Sequence, residues 1–326
     1  MIRPFSSLRR GAFRAHRDLE IREHALLYLF LEITRRCNLS CLHCGSDCAR
    51  DAAFPELDAE SWLSAIDYMK ERYDPFFVIT GGEPLASPDL EAITDRLGDR
   101  AARWGMVTNG MALEKGIFGR LVERGMSSMT VSLDGLAASH NLLRRNPAAF
   151  ERALAAIELV GRSSLEFRDA VTCVWEANLA ELGGIGELLA ARGMNSWRLF
   201  RIFPKGRAAD RPDLRLDREG TSCLLEWIAE NRPLFAAKGL VLSYSCEGYV
   251  GMEMDRRIRD EPFFCRAGVN IASILCDGKV TGCNNNGSEF IQGDLADDDF
   301  SEIWERRFEV YRDRTWARTG SCADCA

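Results

Sequence analysis

The stretch LYLFLEITRRCNLSCLHC, residues 27–44, decides how this chain is read. Residues 27–34 are short, apolar and aromatic-rich, the pattern of a buried strand. The eight residues that close the stretch carry Cys37, Cys41 and Cys44. A strand that delivers three thiols into its following loop predicts a metal centre beyond the strand's C-terminal end. Three thiolates suit a [4Fe–4S] cube and leave one iron without a protein ligand, open to a substrate or cofactor. Cys48 lies close enough in sequence to close that cube. Zinc or core thiols are the competing reading, yet zinc favours facing C-x-x-C pairs, and only Cys41 and Cys44 form one here.

Outward from this stretch the pattern alternates. Strands are expected over 76–80, 104–108, 128–133, 167–174 and 197–203. Helices are expected over 58–72 with Asp58 as N-cap, 88–98 capped by Ser87, 113–124, 147–160 with Pro147 near its first turn, and 178–192. Close to six strand–helix alternations between residues 27 and 236 predict an α/β fold, a partial (β/α)6 TIM-like barrel. Its polar motifs all fall after strands: residues 37–44, 81–84, 108–110 and 132–135. Beyond residue 238 the glycines become frequent and cysteines return at 246, 265, 276, 283, 322 and 325. The expected organisation is an N-terminal arm over 1–26, a core over 27–238 and a small cysteine-rich domain over 239–326. A helix is expected over 296–313.

Composition narrows the function. Of 326 residues, 46% are hydrophobic and 28% charged, which excludes disorder as the main description. No window is apolar enough to span a membrane. The net charge of −7 argues against broad nucleic-acid binding. The basic start (Arg3, Arg9, Arg10, Arg14, Arg17) lacks the apolar segment of a signal peptide and reads as a solvated arm. A reducing, cytoplasmic setting is therefore expected, where 12 Cys against 4 His point to thiolate-bound iron–sulfur or zinc rather than disulfides.

The C-x3-C-x2-C loop, together with Thr80-Gly81-Gly82-Glu83-Pro84 after the second strand, resembles the radical S-adenosylmethionine (radical SAM) superfamily. The resemblance implies that the open iron of a Cys37/Cys41/Cys44 cluster chelates SAM. It also implies that Gly81, Gly82, Glu83 and Pro84 form the segment holding the methionine amine. The glycines would let the backbone approach a ligand and Glu83 would accept from an ammonium. Ser132-Leu133-Asp134-Gly135 looks like the SLDG of members with extra clusters, which places Ser132 at the SAM ribose. Asn109 is a second polar contact in this alignment, and Leu199 is expected on the adenine. His140 and Arg144 or Arg145 resemble a downstream HD-x-x-R, although Asn141 replaces the Asp.

The second constellation is similar to the SPASM and twitch extensions of these enzymes. Twelve residues separate Cys265 from Gly278 and four separate Gly278 from Cys283, and Cys322-Ala-Asp-Cys325 follows. A full SPASM domain has further cysteines after such a pair, whereas this chain stops at Ala326. The preferred reading is one auxiliary [4Fe–4S] cluster held by Cys265, Cys283, Cys322 and Cys325. A SPASM domain cut short, with Cys246 joining the first cluster, and a structural zinc ribbon are the alternatives. Cys48, Cys173, Cys223 and Cys276 are expected to be buried apolar thiols.

The resemblance implies an oxidoreductase. A flavodoxin- or ferredoxin-type donor reduces the cluster, SAM is cleaved to a 5′-deoxyadenosyl radical, and the radical takes a substrate hydrogen. An auxiliary cluster adds an electron acceptor, so oxidation or cross-linking of a peptide or protein is expected. Dehydrogenation of a small carbohydrate or cofactor precursor is the alternative. A non-catalytic electron-transfer protein is the alternative from another class. In related sulfatase-maturating enzymes the base directly follows the cysteine equivalent to Cys283. Here that residue is Asn284, an amide, which argues against sulfatase maturation.

Overall fold

The computed structural model describes residues 4–49, 54–245, 247–320 and 323. Cys246, Cys322 and Cys325 therefore lie outside the described residues, and with them half of the expected auxiliary ligand set. Helix α1 (Pro4–Glu23) leads into β1 (Tyr28–Glu32), and then the alternation begins. It runs α2 (Ala59–Arg72), β2 (Phe76–Thr80), α3 (Leu90–Asp99), β3 (Trp104–Thr108), α4 (Lys115–Glu123) and β4 (Met126–Ser132). The next elements are α5 (Ala137–Arg144), α6 (Ala149–Gly161), β5 (Phe167–Val174), α7 (Glu176–Leu179), α8 (Leu182–Ala191) and β6 (Ser196–Arg201). After α9 (Arg218–Ala236) come β7 (Val241–Tyr244), α10 (Met252–Ile258), β8 (Ile271–Ile274), β9 (Lys279–Thr281) and β10 (Ile291–Asp294).

Among the described residues, ten strands form one sheet in the order β10-β9-β8-β1-β2-β3-β4-β5-β6-β7. Every pairing from β8 through β7 is parallel, and β8–β9 and β9–β10 are antiparallel. β7 and β10 are the two ends of this order, so the expected partial barrel is present as an open sheet. Hydrogen bonding continues past residue 238, since β7 adds to β6 and β8 pairs with β1.

Strand alternation sets the two layers. In β2, Phe77 and Ile79 are buried beneath the helices while Phe76, Val78 and Thr80 turn to the inner face. α2 answers with Trp62, Ile66 and Met69 on one buried face, and Asp58 caps it by accepting from the Ser61 amide at 2.9 Å. At the far side Trp197 of β6 packs edge-on against Trp227 and Phe235 of α9, with ring centroids 6.0 and 5.8 Å away.

Several elements depart from expectation. The N-terminal arm is helix α1, and it docks. Glu20 pairs with Arg266 at 3.0 Å, Phe13 meets Phe264, and the Trp304 indole donates to the His24 carbonyl. α5 has no counterpart in the expected helices, because the buried polar residues His140 and Arg144 break its apolar pattern. α6 starts at Ala149, beyond Pro147. The 178–192 helix is split into α7 and α8, because the Asn178 side chain is buried and spends its amide on the Asp134 and Cys173 carbonyls. The 296–313 helix begins at Phe300 and is interrupted by a π-turn over Ile303–Arg307.

Candidate active site

The C-terminal ends of the strands surround a cavity of about 290 Å³. Cys37, Cys41 and Cys44 line one wall, Gly81, Gly82 and Glu83 the next, and Asn109 and Ser132 complete it. Eight of the expected site residues therefore share one space, although 95 positions separate Cys37 from Ser132. Pro84 is buried at the start of a short 3₁₀ turn behind the wall and shapes it from outside the lining.

Cys173, near the end of β5, lines the cavity as well, and the expectation of a buried core thiol fails for it. It fails also for Cys223, which is exposed, and holds for the buried Cys48 and Cys276. Leu199 is a correction too. It is fully buried in the core, on the same face of β6 as Trp197, because side chains on a strand alternate. Its neighbour Phe200 lines the cavity instead.

The glycines serve a packing purpose that the sequence did not reveal. A Cβ on Gly81 would run into the Thr34 carbonyl, and one on Gly82 into the Arg36 carbonyl. Gly81 also has φ +144°, open to glycine. This closeness lets the Gly82 amide donate to the Thr34 carbonyl at 2.8 Å and the Glu83 amide to the Arg36 carbonyl at 2.9 Å. The turn after β2 thus fixes the chain entering the cysteine loop. Glu83 itself is buried and accepts from the Thr108 hydroxyl at 2.8 Å and the Asn109 amide at 2.7 Å. Burial raises its carboxyl, which those donors oppose.

α5 holds the loop from another side. The Leu42 amide donates to the Leu143 carbonyl at 2.8 Å. Of the two candidate arginines, Arg144 is buried at the site and Arg145 is exposed. The Arg144 guanidinium grips the buried Asp134 with Nε at 2.6 Å. His140, one turn earlier, accepts from the Asp134 amide at 2.9 Å. Burial pushes His140 down to about 4, consistent with a neutral ring as acceptor. Burial would raise Asp134, but the Arg144 charge overrides it and holds the carboxyl below its ordinary value.

Each of the three cysteine sulfurs meets its own nitrogen donor. Asn109 Nδ2 lies 3.8 Å from Cys37 Sγ, Arg144 Nη1 lies 3.8 Å from Cys41 Sγ, and the Cys48 amide lies 3.4 Å from Cys44 Sγ. Burial pushes the Cys37 thiol up to about 11, so a cluster held there would displace a proton. Three convergent sulfurs with a donor apiece fit an iron–sulfur cluster, whose sulfurs carry negative charge.

The cysteine-rich segment is partly visible. Cys283 is half-buried and accepts from the Asn285 amide at 3.4 Å, while Cys265 is exposed. Asn285 reaches the cavity, so the Cys283 loop borders the same space as Cys37, Cys41 and Cys44. Two residues missed by the sequence reading stand at this border: Lys205 and Arg207, in the loop after β6. Only their position after a barrel strand could have flagged them.

The family model of the radical SAM superfamily matches residues 31–174, and that of the SPASM iron–sulfur cluster-binding domain matches residues 265–326. The chain carries a radical SAM domain followed by a SPASM domain. This radical SAM protein is 27% identical over 300 residues to an AdoMet-dependent heme synthase of Methanosarcina barkeri (strain Fusaro / DSM 804), covering 86% of this chain and 82% of that one. It is 27% identical over 307 residues to mycofactocin maturase MftC of Mycolicibacterium smegmatis (strain ATCC 700084 / mc(2)155), covering 92% and 76%. Among solved structures, Streptococcus suis SuiB superposes with a TM-score of 0.70 at 15% identity over 95% of this chain and 73% of SuiB. That likeness shows the fold. The two domains imply [4Fe–4S] clusters and SAM as cofactors. No helix among the described residues is long and apolar enough to cross a membrane.

Proposed function

We propose that this enzyme cleaves SAM reductively and oxidises a peptide or protein substrate. The observation that carries the reading is the shared cavity, where three donor-matched cysteine sulfurs face Gly82, Glu83 and Ser132. Cys37, Cys41 and Cys44 would hold the SAM-binding cluster. Cys265, Cys283, Cys322 and Cys325 would hold one auxiliary cluster. When bound, these groups would supply the electron that splits SAM and a sink for the electron left on the substrate after a hydrogen atom is removed. The proton released with that electron leaves to a base or to water.

The chain's own residues orient and shield. Gly82 and Glu83 would receive the methionine amine, and Ser132 and Asn109 the ribose side. Phe200 would take the apolar contact expected of Leu199. The buried parts of the wall, Glu83, Thr108 and Asp134 among them, would limit the water that meets a reactive radical. A peptide substrate is supported by the names of MftC as a maturase and of SuiB as solved with its precursor peptide SuiA. A second reading, a tetrapyrrole substrate, is supported by relatives named heme synthase and Fe-coproporphyrin III synthase. A flavodoxin- or ferredoxin-type donor and a cytoplasmic setting belong to the same proposal, as does an auxiliary domain starting near residue 239.

The test is anaerobic reconstitution with iron and sulfide, then reductant and SAM. Native protein is expected to form 5′-deoxyadenosine, and Cys41→Ala none. Stimulation of that product by short peptides supports the first substrate reading, and stimulation by Fe-coproporphyrin III alone supports the second. Absence of 5′-deoxyadenosine from iron-loaded native protein would overturn both.

A further inference from the structure

Three consecutive residues after β6 touch both cysteine loops. The Arg207 amide donates to the Cys44 carbonyl at 3.0 Å. The Arg207 guanidinium donates to the Cys41 carbonyl at 2.7 Å and the Cys48 carbonyl at 2.8 Å. Gly206 packs so tightly on this loop that a Cβ would run into the Cys44 and Gly45 carbonyls. Lys205 points the other way. Its ammonium donates to the Asn284 carbonyl at 3.0 Å and the Asn286 carbonyl at 2.7 Å, both in the loop that begins at Cys283.

That loop is a tight turn. The Asn286 amide donates to the Cys283 carbonyl at 2.9 Å, and the Asn285 amide faces the Cys283 sulfur at 3.4 Å. With the two carbonyls held on the ammonium, the Asn285 N–H stays aimed at the sulfur. Lys205 also brings a positive charge beside Cys283. Hydrogen bonds to a cluster's sulfurs and nearby positive charge both favour the reduced, more negative cluster. Lys205 lines the SAM cavity and a neighbouring cavity of about 510 Å³, and so stands between the two loops.

We infer that Lys205 is a positioning residue for the auxiliary cluster: by clamping the Cys283 loop to the barrel it raises that cluster's reduction potential and fits it to accept an electron from the substrate. The inference rests on the proposed auxiliary cluster. It goes beyond that reading by assigning the control of the cluster to a residue of the barrel.

The experiment uses full-length chain with Cys37, Cys41 and Cys44 changed to Ala, reconstituted anaerobically, so that the remaining iron reports the auxiliary site. Iron and sulfide are counted, and the potential is read by a redox titration followed by electron paramagnetic resonance. Lys205→Met is expected to keep the iron and shift the potential to lower values. Lys205→Arg, which retains charge and donors, is expected to restore most of the shift. An unchanged potential in Lys205→Met at full iron content would overturn the inference. Absence of iron from the parent variant would instead overturn the auxiliary-cluster reading. If Lys205→Met alone loses its iron, Lys205→Gln decides: it keeps a donor without the charge, and iron retention at an unshifted potential counts against the inference.

Discussion

Single residues in this protein do their work through burial. Glu32, at the end of β1, is raised from its ordinary 4.5 to about 7, chiefly by burial, against the lowering pull of Arg35 and Lys205. Between these two values the unfolded carboxyl is ionised while the folded one keeps its proton. The folded state therefore binds more protons there, and stability falls as pH rises through that window. Glu32→Gln is expected to flatten the fall, read as the thermal midpoint across a pH series. A native slope equal to that of the variant would contradict the burial argument. Arg144 shows the opposite case. Its charge compensates Asp134 inside the protein, and removing one member of such a buried pair typically costs about 3–5 kcal/mol. The SLDG resemblance pointed to Ser132 and Asp134, but it could not say that Arg144 closes the pair.

At the scale of elements, the site is assembled by backbone contacts between loops. The turn after β2, the helix α5 and the loop after β6 each bond the cysteine loop. Gly82→Ala is therefore expected to displace Arg36 and the chain leading to Cys37. Iron retention at the SAM site should fall several-fold, while auxiliary iron stays. Cluster content by chemical assay, with the C-terminal cysteines intact, checks this. Full retention of both would mean that the loop adapts. Strands β1 to β6 were legible because their apolar runs are short and bounded by turn residues such as Gly and Asn; the short strands β7 to β10 were not placed. α5 was not, because its buried polar residues His140 and Arg144 break the apolar stripe on which such a reading depends.

The whole molecule joins its ends through one sheet. β8 lies beside β1, so the cysteine-rich segment grows from the edge of the barrel rather than hanging from a linker. α1 braces that segment through the Glu20–Arg266 pair and the Phe13–Phe264 contact. Deleting residues 1–23 is expected to lower stability by about 1–2 kcal/mol, since the pair is partly exposed and the ring contact modest. Denaturant unfolding measures this. Iron at Cys37, Cys41 and Cys44 should be unchanged, because α1 makes none of the contacts to their loop described above. An unaltered midpoint would show that α1 is a passive arm, as its composition suggested.

The sequence by itself determined the strand–loop–cysteine order, the glycine pair before Glu83 and the parallel rhythm that carries them. These are local patterns, set by period, spacing and turn chemistry. Only the tertiary structure decided which face of β6 meets the cavity, which arginine reaches Cys41, and that Lys205 spans from the barrel to the Cys283 loop. Those outcomes depend on contacts between residues far apart in the chain. No local pattern encodes them, because a side chain's partner is chosen by packing and burial once the sheet has formed.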